Sequence, residues 1–287
     1  MAETRRIIFP ELEEIIGFKF NVLDNGFLMV VDYMGSDSSI VQTARLSYGA
    51  GTKKISEDEG LIRYLMRHKH TSPFEATEIR FHVRVPMDAW RQWIRHRTAS
   101  VNEYSTRYSI AIKEAQKTPT NKWRKQSKSN KQGSEDFFSE EEGREFSRQE
   151  EEIHKQALEI YNDRISRGMA REQARKDLPL ATYTEASWKI DLHNLLNFLE
   201  LRMAPNAQWE ICQYANIIGN EIVAKWVPMT WRAFLDYRIN SITLSAPEID
   251  ALRKTGIFAN LNQDNIQSEL SKREMGEFLE KLRRLKE

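Results

Sequence analysis

The chain has 287 residues, of which 43 are Lys or Arg and 42 are Asp or Glu, so its formal net charge at pH 7 is +1. A net charge this close to zero excludes a general electrostatic field that would draw the protein onto nucleic acid or anionic membranes. The single cysteine, Cys212, excludes an intramolecular disulfide framework and favours a reducing compartment.

No apolar run in the sequence approaches the ~20 residues that a membrane-spanning helix needs. The first residues, MAETRRIIFPELEEII, are acidic and interrupted by Pro10, a pattern that is not typical of a secretory signal. We therefore expect a cytoplasmic protein with no membrane partner.

The first predicted elements are a β-hairpin and a helix. The dipeptide Asn25-Gly26 lies between two apolar runs, a pattern typical of a tight turn whose central residues have positive φ angles. Ser36 and Asp37 then predict the N-cap of a helix that continues to Ala44.

A second helix is predicted over residues 57–67, where Leu61 and Leu65 lie four positions apart on one side. Pro73 favours an extended backbone at the residue before it, because its ring clashes with a helical conformation there. We therefore expect His70 and Ser72 to lie in a loop.

The clearest strand is TEIRFHVRVP, residues 77–86, in which polar and apolar side chains alternate as they do in a half-buried strand. Its final proline also suits the first turn of the helix that follows, MDAWRQWIR. Met87, Trp90 and Ile94 are spaced three and four apart and predict the buried face of that helix. We interpret Trp90 and Trp93 as core residues, not as surfaces on which a ligand stacks.

The most informative segment is RHRTASVNEYSTR, residues 95–107. It combines guanidinium groups, an imidazole, hydroxyls and an amide, which are the donors and acceptors that bind an anionic, hydrogen-bonding ligand such as a nucleotide. Its polar positions follow neither the helical nor the strand period, so we expect an irregular binding loop on a rigid support. A chance surface cluster explains any one of these residues, but not all of them together.

Residues 113–138 are rich in Lys, Gln, Ser and Asn, and they include Lys122, Lys125 and Lys128. Such a segment has too little apolar surface to offset its ordering entropy, so we expect a mobile insertion. A nucleic-acid-binding arm is the alternative. We disfavour it because acidic residues follow directly and Trp123 is the only aromatic residue interleaved with the lysines, so no nucleic-acid partner is expected.

The second half of the chain is predicted to be largely helical. Ser139 and Glu142 fit a capping box at the start of a long helix. Leucines at helical spacing within residues 187–203, and apolar residues within 208–226, predict two further helices. Beyond residue 245 we expect one short helix and one longer helix, the latter with apolar residues from Ile266 to Leu282.

Some potentially reactive side chains have simpler interpretations. Cys212 lies within a predicted helix with no neighbouring His or second Cys, so we interpret it as a packing residue. Ser105 has no nearby His in its run to activate it, so phosphate binding is favoured over covalent catalysis. His68 and His70 lack the Cys or carboxylate partners of a zinc site, and no metal is expected.

The chain resembles the flavin-dependent thymidylate synthases, which methylate dUMP to dTMP with FAD, NADPH and 5,10-methylenetetrahydrofolate. The spacing of their signature, R-H-R-x-x-S-x-N-x-x-S-x-R, is filled at every defined position of residues 95–107. The similarity extends from about Phe20 to Tyr237. The segments that carry it include VLDNGFLMVVDYMG, TARLSY, YLMRHKHTSPFE, ARKDLPLATYT and LHNLLNFLELRMAPNAQWEICQYA.

The resemblance implies roles for individual residues. Those placed at dUMP are Gln92, Trp93, Ile94, Arg95, Glu103, Tyr104, Ser105, Thr106, Arg107, Arg175 and Arg202. Those placed at FAD are Ser72, Arg95, His96, Arg97, Glu103, Asp191, Leu192, His193 and Asn197. His70 and Tyr108 are placed on the side of the flavin shared by folate and nicotinamide. Arg202 and His70 are the expected catalytic residues.

The chemistry of the side chains supports two of these assignments. Guanidinium forks bind phosphate oxygens in pairs, so Arg107 and Arg175, together with Ser105, suit the phosphate of the nucleotide. Attack by C5 of uracil on a one-carbon unit builds negative charge on the ring, and the guanidinium of Arg202 can stabilise that charge. Reduced flavin is then the expected hydride source.

Three residues depart from the pattern of many relatives. Asp191 stands where Asn is frequent, which puts a carboxylate near the expected flavin site. Ala76 stands where His is frequent, and Thr106 stands where Gly occurs. None of the three removes a defined position of the signature.

We expect an α+β fold with an antiparallel-rich central sheet flanked by helices and a largely helical second half. The expected organisation is an N-terminal extension over residues 1–17, a catalytic domain over 18–240 and a helical C-terminal extension over 241–287. The resemblance also implies a homotetramer with shared active sites. The alternative is a non-catalytic protein that binds a nucleotide or nucleic acid with the same arginines, and it predicts a colourless protein that takes up no FAD.

Overall fold

The computed structural model describes residues 8–46, 58–128, 130–131, 133–258 and 270–286. The start of the expected N-terminal extension, the end of the TARLSY run and Ile266 of the tail lie outside these residues. The chain divides into two compact units, Met1–Ile239 and Asn240–Glu287.

The first unit contains a five-stranded antiparallel sheet whose strands are β1 (Lys19–Val22), β2 (Gly26–Met34), β3 (Glu78–Pro86), β4 (Ser100–Glu103) and β7 (Tyr183–Asp191). Their order in the sheet is β1-β2-β3-β7-β4. A separate two-stranded sheet pairs β5 (Arg124–Gln126) with β6 (Ser134–Phe137). Because β3 and β7 pair along their whole length, they form the rigid centre of the main sheet.

The helices of the first unit are α1 (Pro10–Glu13), α2 (Asp37–Leu46), α3 (Asp58–Arg67), α4 (Ser72–Glu75), α5 (Met87–Trp93), α6 (Glu140–Ser166), α7 (Arg171–Ala174), α8 (Leu192–Arg202), α9 (Trp209–Ile217), α10 (Ala224–Trp226) and α11 (Pro228–Phe234). A 3₁₀ turn covers Arg175–Asp177, and π-helical segments cover Ile218–Val223 and Leu235–Ile239. The expected α+β class, with an antiparallel sheet and a largely helical second half, is confirmed.

The strand predicted at residues 77–86 is confirmed as β3, whose apolar side chains are buried in alternation. Strand β7 was missed, although Ala186, Trp188 and Ile190 are buried with the same period of two. Its signal was weak because the alternating set includes small and polar residues, and the leucines that follow favour a helix. The rings of Phe81 and Trp188 stack across β3 and β7 with centroids 5.6 Å apart.

The predicted hairpin is confirmed, but its turn differs from the prediction. Val22 pairs with Gly26, so the turn has three residues, and the positive φ of 60° belongs to Leu23. Gly26 is required for a different reason. A Cβ atom at this position would lie 2.7 Å from the carbonyl oxygen of Val22 and closer still to the Tyr214 hydroxyl.

The helix predicted after Ser36 is confirmed as α2, but Asp37 caps another helix. Its buried carboxylate accepts hydrogen bonds from the backbone N–H groups of Met229 (2.8 Å) and Thr230 (3.0 Å), at the start of α11. It also accepts one from the Thr230 hydroxyl at 2.6 Å. Asp37 therefore joins α2 to α11, a role set by tertiary contact and invisible in the local pattern.

The helix predicted over residues 57–67 is confirmed as α3 from Asp58, the residue before it lying outside the described part of the chain. It ends through Lys69, whose φ is 58°, and the N–H of His70 donates to the carbonyl of Leu65 at 2.9 Å. His70 lies in the expected loop. Ser72 does not: it begins α4, because a proline in the first turn of a helix removes only an N–H that would have no helical partner.

The helix predicted after β3 is confirmed as α5, but its buried face is made by Ala89, Trp90 and Trp93. Ile94 was predicted to be buried and is instead 43% exposed, because the helix ends one residue before it. The interpretation of Trp90 and Trp93 as core residues is confirmed. The Trp93 ring lies 5.1 Å from the Trp188 ring.

The Lys-rich segment, which was predicted to be a mobile insertion, contains regular secondary structure. It contains the β5–β6 hairpin, and its aromatic residues Trp123 and Phe138 pack against Phe146 of α6, with ring centroids 5.5 and 5.1 Å away. These contacts supply apolar surface that the local composition lacks; the mobility of the segment stays a prediction. The capping box of α6 is confirmed, since Ser139 and Glu142 exchange both backbone-to-side-chain bonds.

The second unit contains α12 (Ala246–Lys254) and α13 (Lys272–Lys286). Arg253 joins them by donating to the carbonyl oxygens of Arg284 at 2.7 Å and Leu285 at 2.9 Å. None of the helices that the structure describes is both long enough and apolar enough to cross a membrane.

Candidate functional site

The arginine-rich segment, residues 95–107, is only partly a loop. Its middle forms β4, an edge strand that pairs with β7 from Ser100 opposite Lys189 to Glu103 opposite Ala186. The expectation of a wholly irregular loop is therefore wrong. The strand was missed because all four of its side chains are exposed, so they show no alternation of burial.

The start of the segment is held by Arg202, at the end of α8. Its Nε donates to Nε2 of His96 at 3.1 Å, and an Nη donates to the carbonyl of Gln92 at 3.5 Å. Burial and the nearby positive charge of Arg202 lower the pKa of His96 to about 4, so the imidazole is neutral at pH 7 and can accept this bond. Burial also lowers the pKa of Arg202.

The end of the segment is held by Arg175, in the 3₁₀ turn after α7. An Nη of Arg175 donates to the hydroxyl of Thr106. Nε of Arg107 lies 3.1 Å from a carboxylate oxygen of Glu172, and both side chains are exposed. Arg175, Arg107 and the Ser105 hydroxyl, which accepts from the Arg107 N–H at 3.4 Å, are thus brought together.

Several predicted side chains on the segment point into solvent in the single chain. Arg95 and Arg97 are exposed and form no ion pair or side-chain hydrogen bond within the described residues. Glu103 accepts from the Thr184 hydroxyl at 2.9 Å, which holds it beside β7. Tyr104 donates to the carbonyl of Ile110 at 2.9 Å.

Most of the residues predicted at FAD fall into two groups. Arg95, His96, Arg97 and Glu103 belong to the arginine-rich segment, whereas Asp191, Leu192, His193 and Asn197 lie at the start of α8 and in its first turns. The Asp191 carboxylate caps this helix by accepting from the N–H of Asn194 at 2.9 Å and from its side-chain amide at 2.8 Å. His193 and Asn197 lie one turn apart, with the amide nitrogen and Nε2 separated by 3.3 Å. Leu192 is fully buried and packs in the core. The helix α4, which begins at Ser72, packs against α8.

His70 lies beside the ring of Tyr64 in α3. Tyr64 contacts His68 with centroids 4.3 Å apart and stacks on His70 with centroids 5.7 Å apart. Both histidines are exposed. Tyr108, the other residue predicted on the folate side, is 79% exposed, and its carbonyl accepts from Arg171 at 2.6 Å.

The structure adds Gln208 and Asp88 to the residues found from sequence. The Gln92 amide donates to the Gln208 side chain, which donates to the Asp88 carboxylate at 2.8 Å. Burial raises the pKa of Asp88. The sequence feature that could have revealed them is the spacing of Asp88 and Gln92, which lie four positions apart on α5. No local sequence pattern connects these two residues to Gln208.

The side chain of Cys212 has the properties of a packing residue. Burial raises the pKa of its thiol, and the amide of Asn216 donates to its sulfur at 3.3 Å. A raised pKa disfavours the thiolate, the nucleophilic form. Within the described residues, no group of three or more His, Cys, Asp or Glu side chains is arranged to hold a metal ion.

The low pKa of His96 predicts a pH dependence of stability. The unfolded chain protonates this imidazole near its ordinary pKa of 6.5, whereas the folded chain does so only near pH 4. The contribution of the neutral imidazole to stability is therefore fully present above about pH 6.5 and is lost as the pH falls towards 4. We expect the free energy of unfolding to fall by about 1–2 kcal/mol over this range. This is less than the full pKa difference would give, because His96 is half-exposed and solvent screens its charge. Urea unfolding of the wild type and His96→Gln at about pH 5 and about pH 7.5 measures it. An equal loss in both proteins would contradict this origin.

Comparison with known proteins adds independent information. The family described as "Thymidylate synthase complementing protein" matches residues 29–229. The chain is 48% identical over 276 residues to a flavin-dependent thymidylate synthase of Wolbachia pipientis wMel, covering 96% of each chain. It is 53% identical over 232 residues to one of Thermus thermophilus, covering 81% of this chain and 84% of the relative. A structure of the UMP/dUMP methylase PolB from Streptomyces cacaoi, bound with 5-Br dUMP, is similar with a TM-score of 0.69 and 30% identity, over 76% of this chain and 98% of that chain.

Proposed function

The chain belongs to the flavin-dependent thymidylate synthase family, and on that premise we propose that it methylates C5 of dUMP with 5,10-methylenetetrahydrofolate as one-carbon donor and NADPH as reductant. It is a flavin-dependent methyltransferase of a pyrimidine nucleotide, with FAD as the proposed flavin. Residues 18–240 are proposed to carry the reaction, with residues 1–17 and 241–287 as extensions and 113–138 as an insertion.

The observation that carries the proposal is the state of Arg202. It is half-buried, it donates to a neutral imidazole and a carbonyl, and it has no ion-pair partner within the described residues. Its positive charge is therefore not neutralised by a carboxylate of the described residues. A fixed, partly desolvated guanidinium of this kind stabilises negative charge that develops on a neighbouring ligand.

The chemistry of uracil requires such a group. When C5 attacks the one-carbon unit, negative charge spreads over N3, O4 and C5 of the ring. Arg202 stabilises this anion without giving up its proton, because a guanidinium stays protonated at neutral pH. The neutral His96 and the carbonyl of Gln92 hold the guanidinium in place while it acts.

The phosphate of dUMP is assigned to the other end of the arginine-rich segment. Arg107, Arg175 and Ser105 lie together there, and the partner of Arg107 is a carboxylate in an exposed ion pair. An exposed pair of this kind contributes only about 0–1 kcal/mol, so a phosphate dianion can replace Glu172 at Arg107 at small cost. Charge-assisted bonds to phosphate contribute more, about 1.5–3 kcal/mol each.

The described residues fit a flavin dinucleotide. Arg95 and Arg97 offer guanidinium groups with no partner in the described chain, which suits the diphosphate, and His193 and Asn197 offer polar atoms on one face of α8. Asp191, the unusual carboxylate, is occupied as the cap of α8. The amide oxygen of Asn197 accepts from Arg238 at 3.0 Å, which fixes the orientation of this side chain. When bound, reduced flavin supplies the hydride that completes the methyl group.

A cysteine nucleophile is not part of the proposed mechanism. Burial raises the pKa of Cys212 and so disfavours its thiolate, and this effect outweighs the opposite effect of the hydrogen bond that the Asn216 amide donates to the sulfur. Activation of the pyrimidine is therefore assigned to the guanidinium of Arg202. His70 and Tyr108, both exposed, are proposed to contact the folate and nicotinamide.

We also propose that the protein is a homotetramer whose active sites combine residues of several chains. Arg202 holds the start of the arginine-rich segment and Arg175 holds its end, and the strand between these ends alone spans about 10 Å. No hydrogen bond or ion pair joins the two groups in the part of the chain that the structure describes. Two chains can therefore supply these two groups to a single dUMP, one group from each chain.

Release of tritium from 5-tritiated dUMP tests the function. We expect release and dTMP formation with FAD, NADPH and methylenetetrahydrofolate together, and loss of dTMP when any one of the three is omitted. The purified protein should also show an oxidised-flavin absorbance band after addition of FAD. Failure to methylate dUMP with all components, or methylation that persists after removal of the flavin, would overturn the proposal.

A further inference from the structure

A polar cleft of about 510 Å³ opens beside Arg202, and part of its lining comes from the β5–β6 hairpin. Gln92, Arg202 and Gln208 line it from the helices of the site, whereas Arg124, Gln126 and Ser134 line it from the hairpin. This volume lies within the range of small-molecule sites, roughly 300–1,000 Å³. The hairpin lies outside the arginine-rich signature, and the proposed mechanism gives it no role.

Contacts with the body of the protein fix the orientation of the hairpin. The Trp123 indole N–H donates to the Ser147 hydroxyl of α6 at 2.9 Å, and the Phe138 N–H donates to the Trp123 carbonyl at 3.0 Å. Within the hairpin, Gln126 donates to the carbonyls of Lys131 and Gly133, both at 3.0 Å. The side chain of Gln126 is therefore occupied with the turn, which leaves Arg124 as the charged group that the hairpin brings to the cleft.

Arg124 is only loosely satisfied by its own chain. One Nη atom lies 3.4 and 3.5 Å from the two oxygens of Glu210, near the limit of hydrogen bonding. The Arg124 side chain is 24% exposed and that of Glu210 is 10% exposed. A guanidinium has five N–H donors, and these two long contacts use one nitrogen atom of the group. Arg124 lines the same cleft as Arg202.

We propose that Arg124 forms an oxyanion subsite of the cleft, which binds either a carboxylate of the folate or, in addition to the contacts from Arg107 and Arg175, the phosphate of the nucleotide. Both ligands carry oxyanions, which match the planar donor fork of arginine. The inference rests on the proposed function for the identity of these ligands. The β5–β6 hairpin is then a wall of the substrate site and contributes directly to affinity.

The test separates ligand binding from charge neutralisation. Arg124→Gln alone leaves the carboxylate of Glu210 without its cation, so it can weaken folding as well as binding. The double variant Arg124→Gln, Glu210→Gln removes both charges and leaves a neutral, hydrogen-bonding amide at each position. Lys125→Gln is the matched control, because Lys125 is an exposed cation on the same strand that lies over the Phe138 ring, 5.3 Å from its centroid.

We expect Arg124→Gln and the double variant to raise one KM about tenfold or more, with kcat nearly unchanged, while Lys125→Gln behaves as the wild type. A raised KM for dUMP assigns the subsite to phosphate, and a raised KM for methylenetetrahydrofolate assigns it to a carboxylate. Recovery of both KM values in the double variant would overturn the inference, since Arg124 would then serve only to neutralise Glu210. Wild-type KM values in the Arg124→Gln variant would overturn it as well.

Calorimetric titration with dUMP and with folate distinguishes failure of the Arg124 subsite from failure of the proposed function. If the wild type binds these ligands but does not methylate dUMP, the function fails and the subsite is still measured by the affinities of the variants. If the wild type methylates dUMP and the double variant binds both ligands normally, the subsite fails and the function stands.

Discussion

Replacing Arg202 with glutamine should lower kcat for dUMP methylation by about 10²–10³-fold, the usual cost of removing one group that stabilises a developing anion, about 2.7–4 kcal/mol. The reason is that Arg202 brings a partly desolvated charge with no carboxylate partner in the described chain. Glutamine retains hydrogen-bonding capacity but has no charge. Tritium release from 5-tritiated dUMP, measured as kcat and KM separately, checks the prediction.

Arg232→Gln is the matched control for this experiment. Arg232 is an exposed arginine of α11, paired with Glu59 at 2.9 Å, and we expect its loss to change kcat less than twofold. Arg202→Lys keeps the charge and should recover part of the lost rate. A change in KM with kcat retained in Arg202→Gln would show that the residue only binds the nucleotide, and would contradict its catalytic role.

Mixing two inactive variants, Arg107→Ala and Arg202→Ala, should restore activity if the active sites combine residues of several chains. Arg107 belongs to the proposed phosphate group and Arg202 to the pyrimidine group, and no hydrogen bond or ion pair joins these groups in the described chain. In randomly mixed oligomers about a quarter of the sites would carry both arginines. Recovery to roughly that fraction of wild-type activity is expected.

Subunit exchange must be shown for this mixture, for example by mass spectrometry of differently tagged chains. The double variant Arg107→Ala, Arg202→Ala mixed with Arg202→Ala is the control, because no site in that mixture has Arg202. Proven mixed oligomers without recovery would mean that both arginines of one site come from one chain, and would refute the shared site.

Local sequence patterns were sufficient to predict the elements that a few neighbouring residues define. The alternation in β3 and the capping box at Ser139 and Glu142 were predicted from a few residues each, and both are present. Strand β7 was missed because Thr184 and Ala186, although buried, carry little apolar signal. The hairpin β5–β6 was missed because its apolar partner, Phe146, belongs to another element.

The same distinction applies to the candidate site. The arginine-rich segment was recognised from its spacing, but its edge strand depends on pairing with β7, which lies more than 80 residues further along the chain. The contact between Arg202 and His96 spans 106 residues, and no periodicity connects these two positions. Neither Gln208 nor Arg124 stood out, since their roles come only from the cleft that they line.

The sequence by itself determined which chemical groups this protein offers and the family to which it belongs, because donor types and their spacing are properties of the chain. The tertiary structure decided the electrostatic state of those groups. Desolvation and charge act through space, so three properties appear only after the chain has folded. They are the neutrality of His96, the lack of a carboxylate partner for Arg202 among the described residues, and the approach of Arg124 to the same cleft.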